Sequence, residues 1–170
     1  YLTVVSLYRQ LEYLKKNKHR IVGILLTHSH LDHIGALPWM LAMLNFPKIY
    51  AGKLTIEVIN NRLAEDKNDK KLKYEKVRDE QKVRIGEFRV QFIHVTHSVP
   101  DCFAIYVGTD KGNLFFSGDF KMDSDPIIEK KTNYEALKKL RGKVDLALIE
   151  STNSQRPGRA KTEGDVKKVN

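Results

Sequence analysis

Four side chains that can bind a metal ion lie within six residues of this sequence, in the segment His28-Ser29-His30-Leu31-Asp32-His33. Three imidazoles and a carboxylate suit borderline divalent metals such as zinc. In an extended stretch His28 and His30 project to the same side, because successive side chains alternate. The chain must then turn, so that Asp32 and His33 can face a second ion. The spacing therefore predicts a two-metal hydrolase site, and the alternative is a polar loop whose histidines merely form hydrogen bonds.

Two later segments end in further metal-binding residues at the ends of predicted strands. The run 92–96 leads into His97, and the run 114–117 leads through Gly118 into Asp119. A carboxylate in such a position can bridge two cations. The ligands then divide into two sets joined by one bridge: His28, His30 and His97 on one ion, Asp32 and His33 on the other, and Asp119 between them. This division leaves the second ion about one ligand short of a complete set.

The elements that must position these residues follow from the hydrophobic pattern. Apolar residues at helical spacing predict an amphipathic helix from about Val4 to Lys16, and the run from Ile21 to Leu26 predicts a buried strand. The histidine segment is followed by a largely apolar helix from Ile34 to Leu44, which we expect to pack beneath it. A short strand at 48–51 and a helix at 54–64 complete the first half.

The second half is dominated by strand-like alternation. Strands are predicted in the stretch 83–95, with a turn at Gly86, and at 103–107 and 113–116 on either side of the hairpin turn 109–112. A helix around 134–140 then leads into a buried strand at 144–149. Strand runs followed by helices predict an α/β sandwich.

The composition is that of a globular domain. The chain has 170 residues, of which 41% are hydrophobic and 30% charged, and no apolar run is long enough to span a membrane. No secretory signal is visible, although the chain opens with Tyr1 rather than methionine. Cys102 is a single cysteine and excludes an internal disulfide, so we expect a cytoplasmic protein.

The charge balance favours a polyanionic partner. Thirty Lys and Arg against twenty-one Asp and Glu give a formal net charge of +9, which is typical of proteins that bind RNA or DNA. Much of the excess lies at 67–84 and beyond Arg156. The alternative is that these runs form solvated faces with no partner.

The motifs also resemble those of a known family. His-x-His-x-Asp-His, a later Thr-His-Ser and a later Ser-Gly-Asp-Phe are similar to the ligand motifs of the metallo-β-lactamase superfamily. Four longer stretches, 27–38, 96–101, 117–123 and 150–158, resemble ribonuclease J, a β-CASP nuclease. The likeness extends over about residues 13–165. The first stretch alone would also suit glyoxalase II-type hydrolases or lactonases.

This resemblance implies a fold and a domain division. The fold is an α/β metallo-β-lactamase-type αββα sandwich, expected to be incomplete. Residues 1–150 would form a partial metallo-β-lactamase domain without its N-terminal strands, and 151–170 the truncated start of a β-CASP insertion. The parts of the family that supply a final histidine ligand and grip RNA would then lie outside the chain, so we expect little activity from the 170 residues alone.

The resemblance further implies a metal-dependent ribonuclease acting in RNA maturation and decay, with endonuclease and 5′-to-3′ exonuclease activity and a dimeric or tetrameric assembly. Two zinc ions, with manganese or magnesium as alternatives, would hold a water for attack on an RNA phosphodiester. Asp32 would orient this nucleophile, and Glu150 would hold a ligand imidazole in the correct tautomer. Glu150 could instead cap a turn at the end of its strand.

Two other functions stay open at this point. The same metals could hydrolyse a small ester, thioester or lactone, or the chain could be an inactive truncated fragment that binds RNA. Three further residues are given structural roles: His94 is expected to be packed or hydrogen-bonded, Cys102 to fill a small buried space, and Trp39 to lie in the core.

Overall fold

The computed structural model describes residues 11–65, 72–158 and 160–167. Its strands form two sheets. The first is parallel, in the order β1 (Ile24–Leu25), β2 (Ile49–Ala51) and β3 (Tyr74–Lys76). The second has five strands in chain order: β4 (Lys82–Ile85), β5 (Phe88–His94), β6 (Phe103–Gly108), β7 (Asn113–Phe116) and β8 (Leu146–Leu148).

Three of the helices connect the strands of the first sheet along the chain. Residues 11–16 are helical (α1) and a 3₁₀ turn follows at Lys18–Arg20; residues 4–10 of the predicted first helix lie outside the described part. The other helices are α2 (Leu31–Ile34), α3 (Leu37–Met43), α4 (Lys53–Glu65), α5 (Tyr134–Lys138) and α6 (Glu163–Lys167). Pro38 lies in the first turn of α3, where proline costs no helical hydrogen bond.

Alternating burial separates the two faces of the first sheet. Leu26 of the segment after β1 packs with Ile34 and Leu41 of the helices, and with Ile56 and Ile59 of α4, in one apolar cluster. Neighbouring residues of the same strands point the other way. Leu25 and Tyr50 pack against Val90, Phe92 and Ile105 of the second sheet.

The second sheet is covered on its outer face by α5. Ile93 of β5 packs against Ala136 and Leu140 at that helix, whereas Phe92, its neighbour, faces the first sheet. Helices, sheet, sheet and helix therefore form four layers. This arrangement confirms the predicted α/β sandwich of αββα type.

Two predictions about burial are wrong. The strand predicted at 144–149 forms, but its residues are exposed: Leu146 is 56% and Leu148 47% accessible, because β8 pairs in parallel with β7 at the edge of the sheet. Trp39 is 75% accessible on α3 rather than in the core. An apolar pattern identifies an element but does not say whether another element covers it.

Two other structural roles are confirmed. His94 is buried, and its Nε2 lies 2.8 Å from the carbonyl oxygen of Lys130. Cys102 is also buried, beside Val95 and Ala104. Among the helices that the structure describes, none has the length and apolar character that a membrane crossing requires.

Candidate metal centre

The end of β1 places the first two histidines side by side. The chain stays extended after the strand, with His30 at φ −62° and ψ 148°, immediately before α2 begins. Their rings therefore meet, and Nε2 of His28 lies 3.0 Å from Nδ1 of His30. His28 is fully buried.

The first turn of α2 then changes the direction of the chain and brings Asp32 and His33 to a neighbouring position. Asp32 Oδ2 and His33 Nε2 lie 3.6 Å apart. The Asp32 side chain is 79% exposed and the His33 side chain 29%. This part of the centre is open to solvent and accessible to a substrate.

His97 reaches the same place from the loop after β5. Its Nε2 lies 3.1 Å from Nδ1 of His30, across 67 residues of sequence. Two backbone hydrogen bonds made by the residues just before the histidine hold this loop. Val95 N donates to Cys102 O at 3.1 Å, and Lys121 N donates to Thr96 O at 2.8 Å.

Asp119 follows β7 after a tight turn at Gly118. This glycine has φ +59°, and a Cβ atom there would lie 3.0 Å from both Phe103 O and Thr27 Cβ. A side chain would therefore be strained by its backbone and crowded by its neighbours. The glycine allows the end of β7 to approach the end of β1 closely enough for Asp119 to reach the histidines.

The two carboxylate oxygens of Asp119 face different histidines. Oδ2 lies 3.9 Å from Nε2 of both His28 and His97, whereas Oδ1 lies 3.4 Å from Nε2 of His33. Two groups of potential metal ligands share this carboxylate, each with its donor atoms within 4.8 Å of one another: His28, His30, His97 and Asp119 in one, Asp32, His33 and Asp119 in the other. All six residues selected as metal ligands from the sequence thus lie in one cluster.

The spacing of the imidazole nitrogens fits a metal ion. Nε2 of His28 and Nε2 of His97 lie 3.0 and 3.1 Å from Nδ1 of His30. Nitrogens bound to one tetrahedral zinc ion at about 2.0–2.1 Å lie about 3.3 Å apart. Three imidazole nitrogens and one carboxylate oxygen also form a donor set typical of zinc.

The protonation state of these histidines suits metal binding. Burial, together with the nearby His33 and His97, lowers the pKa of His28 from 6.5 to about 4. Burial also lowers the pKa of His97, with His30 adding to the effect. Both imidazoles are therefore neutral at pH 7, and each has a lone pair available for a metal ion.

Thr27 is a site residue to which the sequence reasoning assigned no role. Its Oγ1 lies 3.0 Å from Nδ1 of His28. An Nδ1–H that donates to this hydroxyl leaves the Nε2 lone pair facing the cluster, which is how outer partners orient metal-binding histidines. The sequence feature that could have indicated this role is a hydroxyl residue directly before the first histidine. It is not specific, because hydroxyl residues occur beside histidines in many loops.

Glu150 is found in a turn at the end of its strand. Its Oε2 accepts a hydrogen bond from Thr152 N at 2.7 Å, and its own N–H donates to Ser117 Oγ at 3.1 Å. The contacts that the structure gives this carboxylate are therefore those of a turn cap, and its proposed role beside a ligand imidazole stays a prediction.

The fold and the cluster together define a class of protein. The family model described as "Beta-lactamase superfamily domain" matches residues 3–165, so the chain belongs to this family. Membership implies binding of divalent metal, which agrees with the His and Asp cluster.

Similarity to curated proteins is more specific. The chain is 36% identical over 149 residues to ribonuclease J of Corynebacterium glutamicum, 35% over 156 residues to ribonuclease J of Helicobacter pylori, and 32% over 152 residues to ribonuclease J of Mycoplasma genitalium. These matches cover 87%, 91% and 89% of this chain but 20%, 22% and 27% of the relatives. The chain thus spans about a quarter or less of their length. The resemblance to ribonuclease J predicted from the motifs is confirmed.

Solved structures support the fold. The metallo-beta-lactamase fold protein YhfI from Bacillus subtilis matches with a TM-score of 0.53 and 19% identity, over 70% of this chain and 48% of that one. A protein of unknown function from Enterococcus faecalis matches with a TM-score of 0.57 and 18% identity, over 83% of this chain and 34% of that one.

Proposed function

We propose that this chain is the metal-binding part of a ribonuclease of the ribonuclease J type, which hydrolyses RNA phosphodiesters with two divalent ions. The observation that carries the proposal is the division of Asp119, whose Oδ2 faces His28 and His97 while Oδ1 faces His33. One carboxylate shared by two adjacent donor groups can hold two divalent ions close together, as two-metal hydrolysis requires.

The donor atoms favour zinc at the first position. His28, His30, His97 and Asp119 offer three nitrogens and one oxygen, which complete a tetrahedral set. The second group has three donors among the described residues and two of its three residues are carboxylates. Manganese or magnesium, which prefer oxygen ligands, are the alternatives at that position.

When bound, the two ions would supply a water acidified for attack and electrostatic stabilisation of the attacking and leaving oxygens. The residues of this chain would hold the reacting groups in place and transfer protons to and from them. Asp32, the most exposed carboxylate of the cluster, can accept a proton from the attacking water on the open side of the site. The buried His28, fixed by Thr27, holds its side of the cluster rigid.

RNA is the proposed substrate for two reasons. The relatives similar to the chain are ribonucleases, and the formal net charge of +9 favours a polyanion over a small ester or lactone. Binding that weakens steeply with salt would support this choice. Endonuclease and 5′-to-3′ exonuclease activity, cytoplasmic action and a dimer or tetramer belong to the same proposal.

The domain division and the activity of the 170 residues alone are also proposals. We propose that residues 1–150 belong to the metallo-β-lactamase domain and that 151–170 begin a β-CASP insertion. Because the second donor group has only three ligand residues within the described ranges, we expect the isolated chain to bind metal but to turn over RNA poorly. Repeated turnover that disappears in a His97→Ala variant would contradict this expectation.

Substitution of the bridge tests the proposed function. In the native protein that carries this segment, Asp119→Asn should abolish RNA cleavage while the fold persists, because the bridge loses its charge but keeps its volume. RNA binding should change less than turnover. Single-turnover cleavage of labelled RNA, beside a thermal melt, measures this, with Asp110→Asn in an exposed hairpin turn as the matched control. Near-normal cleavage by folded Asp119→Asn protein would contradict the proposal.

A further inference from the structure

A group of basic side chains lies on the outer face of the second sheet, at a distance from the metal centre. A cavity of about 480 Å³ opens there, next to the end of α5. Four cations line it together with a glutamine and a tyrosine, and we call this surface the basic face: Lys82, Arg84, Arg89, Lys143, Gln91 and Tyr106.

Strand register puts these residues on one side of the sheet. Lys82 pairs with Gln91, which pairs with Tyr106 on the next strand, and Arg84 pairs with Arg89. Their neighbours in β5, Val90 and Phe92, face the first sheet. The basic face is therefore the outward side of β4, β5 and β6, where the cover provided by α5 ends.

The electrostatics of this face indicate an anionic ligand. Arg84 and Arg89 lie directly opposite each other on adjacent antiparallel strands, and like charges in that position destabilise the pair. The residues that line the cavity include no acid. Arg89 contacts Asp110 at 3.2 Å, but both side chains are largely exposed, so the interaction is weak.

The remaining cations of the face have no acidic partner within the described residues. Neither Lys82, Arg84 nor Lys143 takes part in a salt bridge there, and Arg84 Nε donates instead to Gly86 O at 3.3 Å. Cations that share one cavity and face solvent without counter-charges form a binding surface for successive phosphates of a polyanion.

The position of the face distinguishes it from the metal centre. Arg89 lies near the start of β5 and His94 at its end, so about 17 Å of strand separates this arginine from the loop that holds His97, and about 10 Å separates Gln91 from it. A nucleic acid in the metal centre would have to continue beyond the cluster to reach the basic face. The face would then bind a different part of the same strand.

We propose that the basic face binds the phosphodiester backbone of single-stranded RNA at a second site outside the metal centre. The inference rests on the proposed function for its choice of polyanion. Four cations supply the phosphate contacts, and Tyr106 adds an aromatic ring of the kind on which bases of single-stranded nucleic acids stack.

The test measures RNA binding separately from cleavage. The probe is fluorescein-labelled oligouridylate RNA, and its anisotropy is followed with metal-free protein over a salt titration. The variant is Arg84→Gln/Arg89→Gln, and the matched control is Lys15→Gln/Lys16→Gln, which removes two exposed charges from α1. We expect the slope of log K against log salt to fall in magnitude by about 1.4 in the variant, because each phosphate contact on a single strand contributes about 0.7.

The control should keep the wild-type slope. A second variant, Lys82→Gln/Lys143→Gln, should show the same loss and covers the case in which the arginine pair is needed for folding. Equal affinity and slope in wild type and both variants would overturn the proposal, as would an equal loss in the Lys15/Lys16 control. Competition by polyglutamate as strong as that by unlabelled RNA would also overturn it, in favour of an acidic protein partner.

Failure of this proposal can be distinguished from failure of the proposed function. All variants in this test keep the metal ligands, so a change in the salt slope comes from the basic face and not from the metal centre. If metal binding fails but the salt slope still depends on Arg84 and Arg89, the metal centre is misassigned and the basic face is not. If cleavage depends on Asp119 but the salt slope is the same in wild type and in the arginine variant, only the basic face is misassigned.

Discussion

The carboxylate of Asp101 accepts a hydrogen bond from the backbone N–H of Leu54 at 2.8 Å, across 47 residues of sequence. Leu54 lies in the first turn of α4, whose N–H groups have no partners within the helix. Asp101 belongs to the loop that follows His97. The bond therefore anchors the loop that holds one metal ligand to α4, which packs in the same apolar cluster as α2 and α3.

Removal of this cap should destabilise the protein. We expect Asp101→Ala to lower the free energy of unfolding by about 1–2 kcal/mol, the usual cost of a lost helix cap. Asp101 also has φ +59°, a conformation that asparagine tolerates better than alanine. Asp101→Asn should therefore cost less. Urea unfolding measures both, with the exposed Asp110→Ala as control, and equal stability of Asp101→Ala and that control would contradict the anchoring role.

Gly118 and Gly142 offer a matched pair that separates backbone strain from crowding. Both have positive φ, +59° and +71°, but a Cβ at Gly118 would press on Phe103 O and Thr27, whereas nothing lies within 4 Å of one at Gly142. Alanine at either position should cost about 1–3 kcal/mol of backbone strain. Only Gly118→Ala should also displace Asp119 and weaken zinc binding. Calorimetric titration with zinc would show this, and equal zinc affinity in the two variants would contradict it.

The lowered pKa of His28 makes the stability of the metal-free protein depend on pH. The imidazole titrates near 6.5 when unfolded and near 4 when folded, so the unfolded chain binds more protons between these values. Stability should therefore be fully present above pH 6.5 and fall as the pH drops towards 4, by up to about 3 kcal/mol. The lowered pKa of His97 acts in the same direction.

Urea unfolding in EDTA at several pH values measures this dependence. His28→Gln should flatten the curve between pH 6.5 and 4, whereas His19→Gln, at an exposed position, should not. The carboxyl of Glu163 provides an internal reference at lower pH. Hydrogen bonds from Lys121 and from Ile127 N lower its pKa from 4.5 to about 2. An unchanged slope in His28→Gln protein would show that its burial does not govern acid sensitivity.

The metal ligands were accessible to sequence reasoning because each follows a strand or opens a helix. His28 and His30 come after β1, His97 after β5 and Asp119 after β7, and strand ends at one edge of a sandwich lie together. Local patterns therefore predicted the positions of the three chain segments that carry the ligands. The exposed edge at Leu146 was not predictable, since hydrophobicity does not indicate which strand lies last in a sheet.

The contacts that support the cluster depend on distant pairings. Nothing in the sequence near Asp101 indicates Leu54 as its partner, because the bond requires the two sheets to be packed. The basic face likewise depends on the register that sets Arg84 opposite Arg89. Shifting that register by one residue would turn these side chains inwards, and the charge pattern alone does not fix the register.

Zinc titration of the purified chain tests the central claim that Asp119 joins two metal sites. We expect one tight equivalent in the group of His28, His30, His97 and Asp119, and a weaker second equivalent in the group with three ligand residues. His28→Ala/His30→Ala should abolish the tight equivalent, and Asp119→Ala should weaken both. Near-zero binding in wild type and double variant alike, or two equivalents unaffected by Asp119→Ala, would contradict the claim.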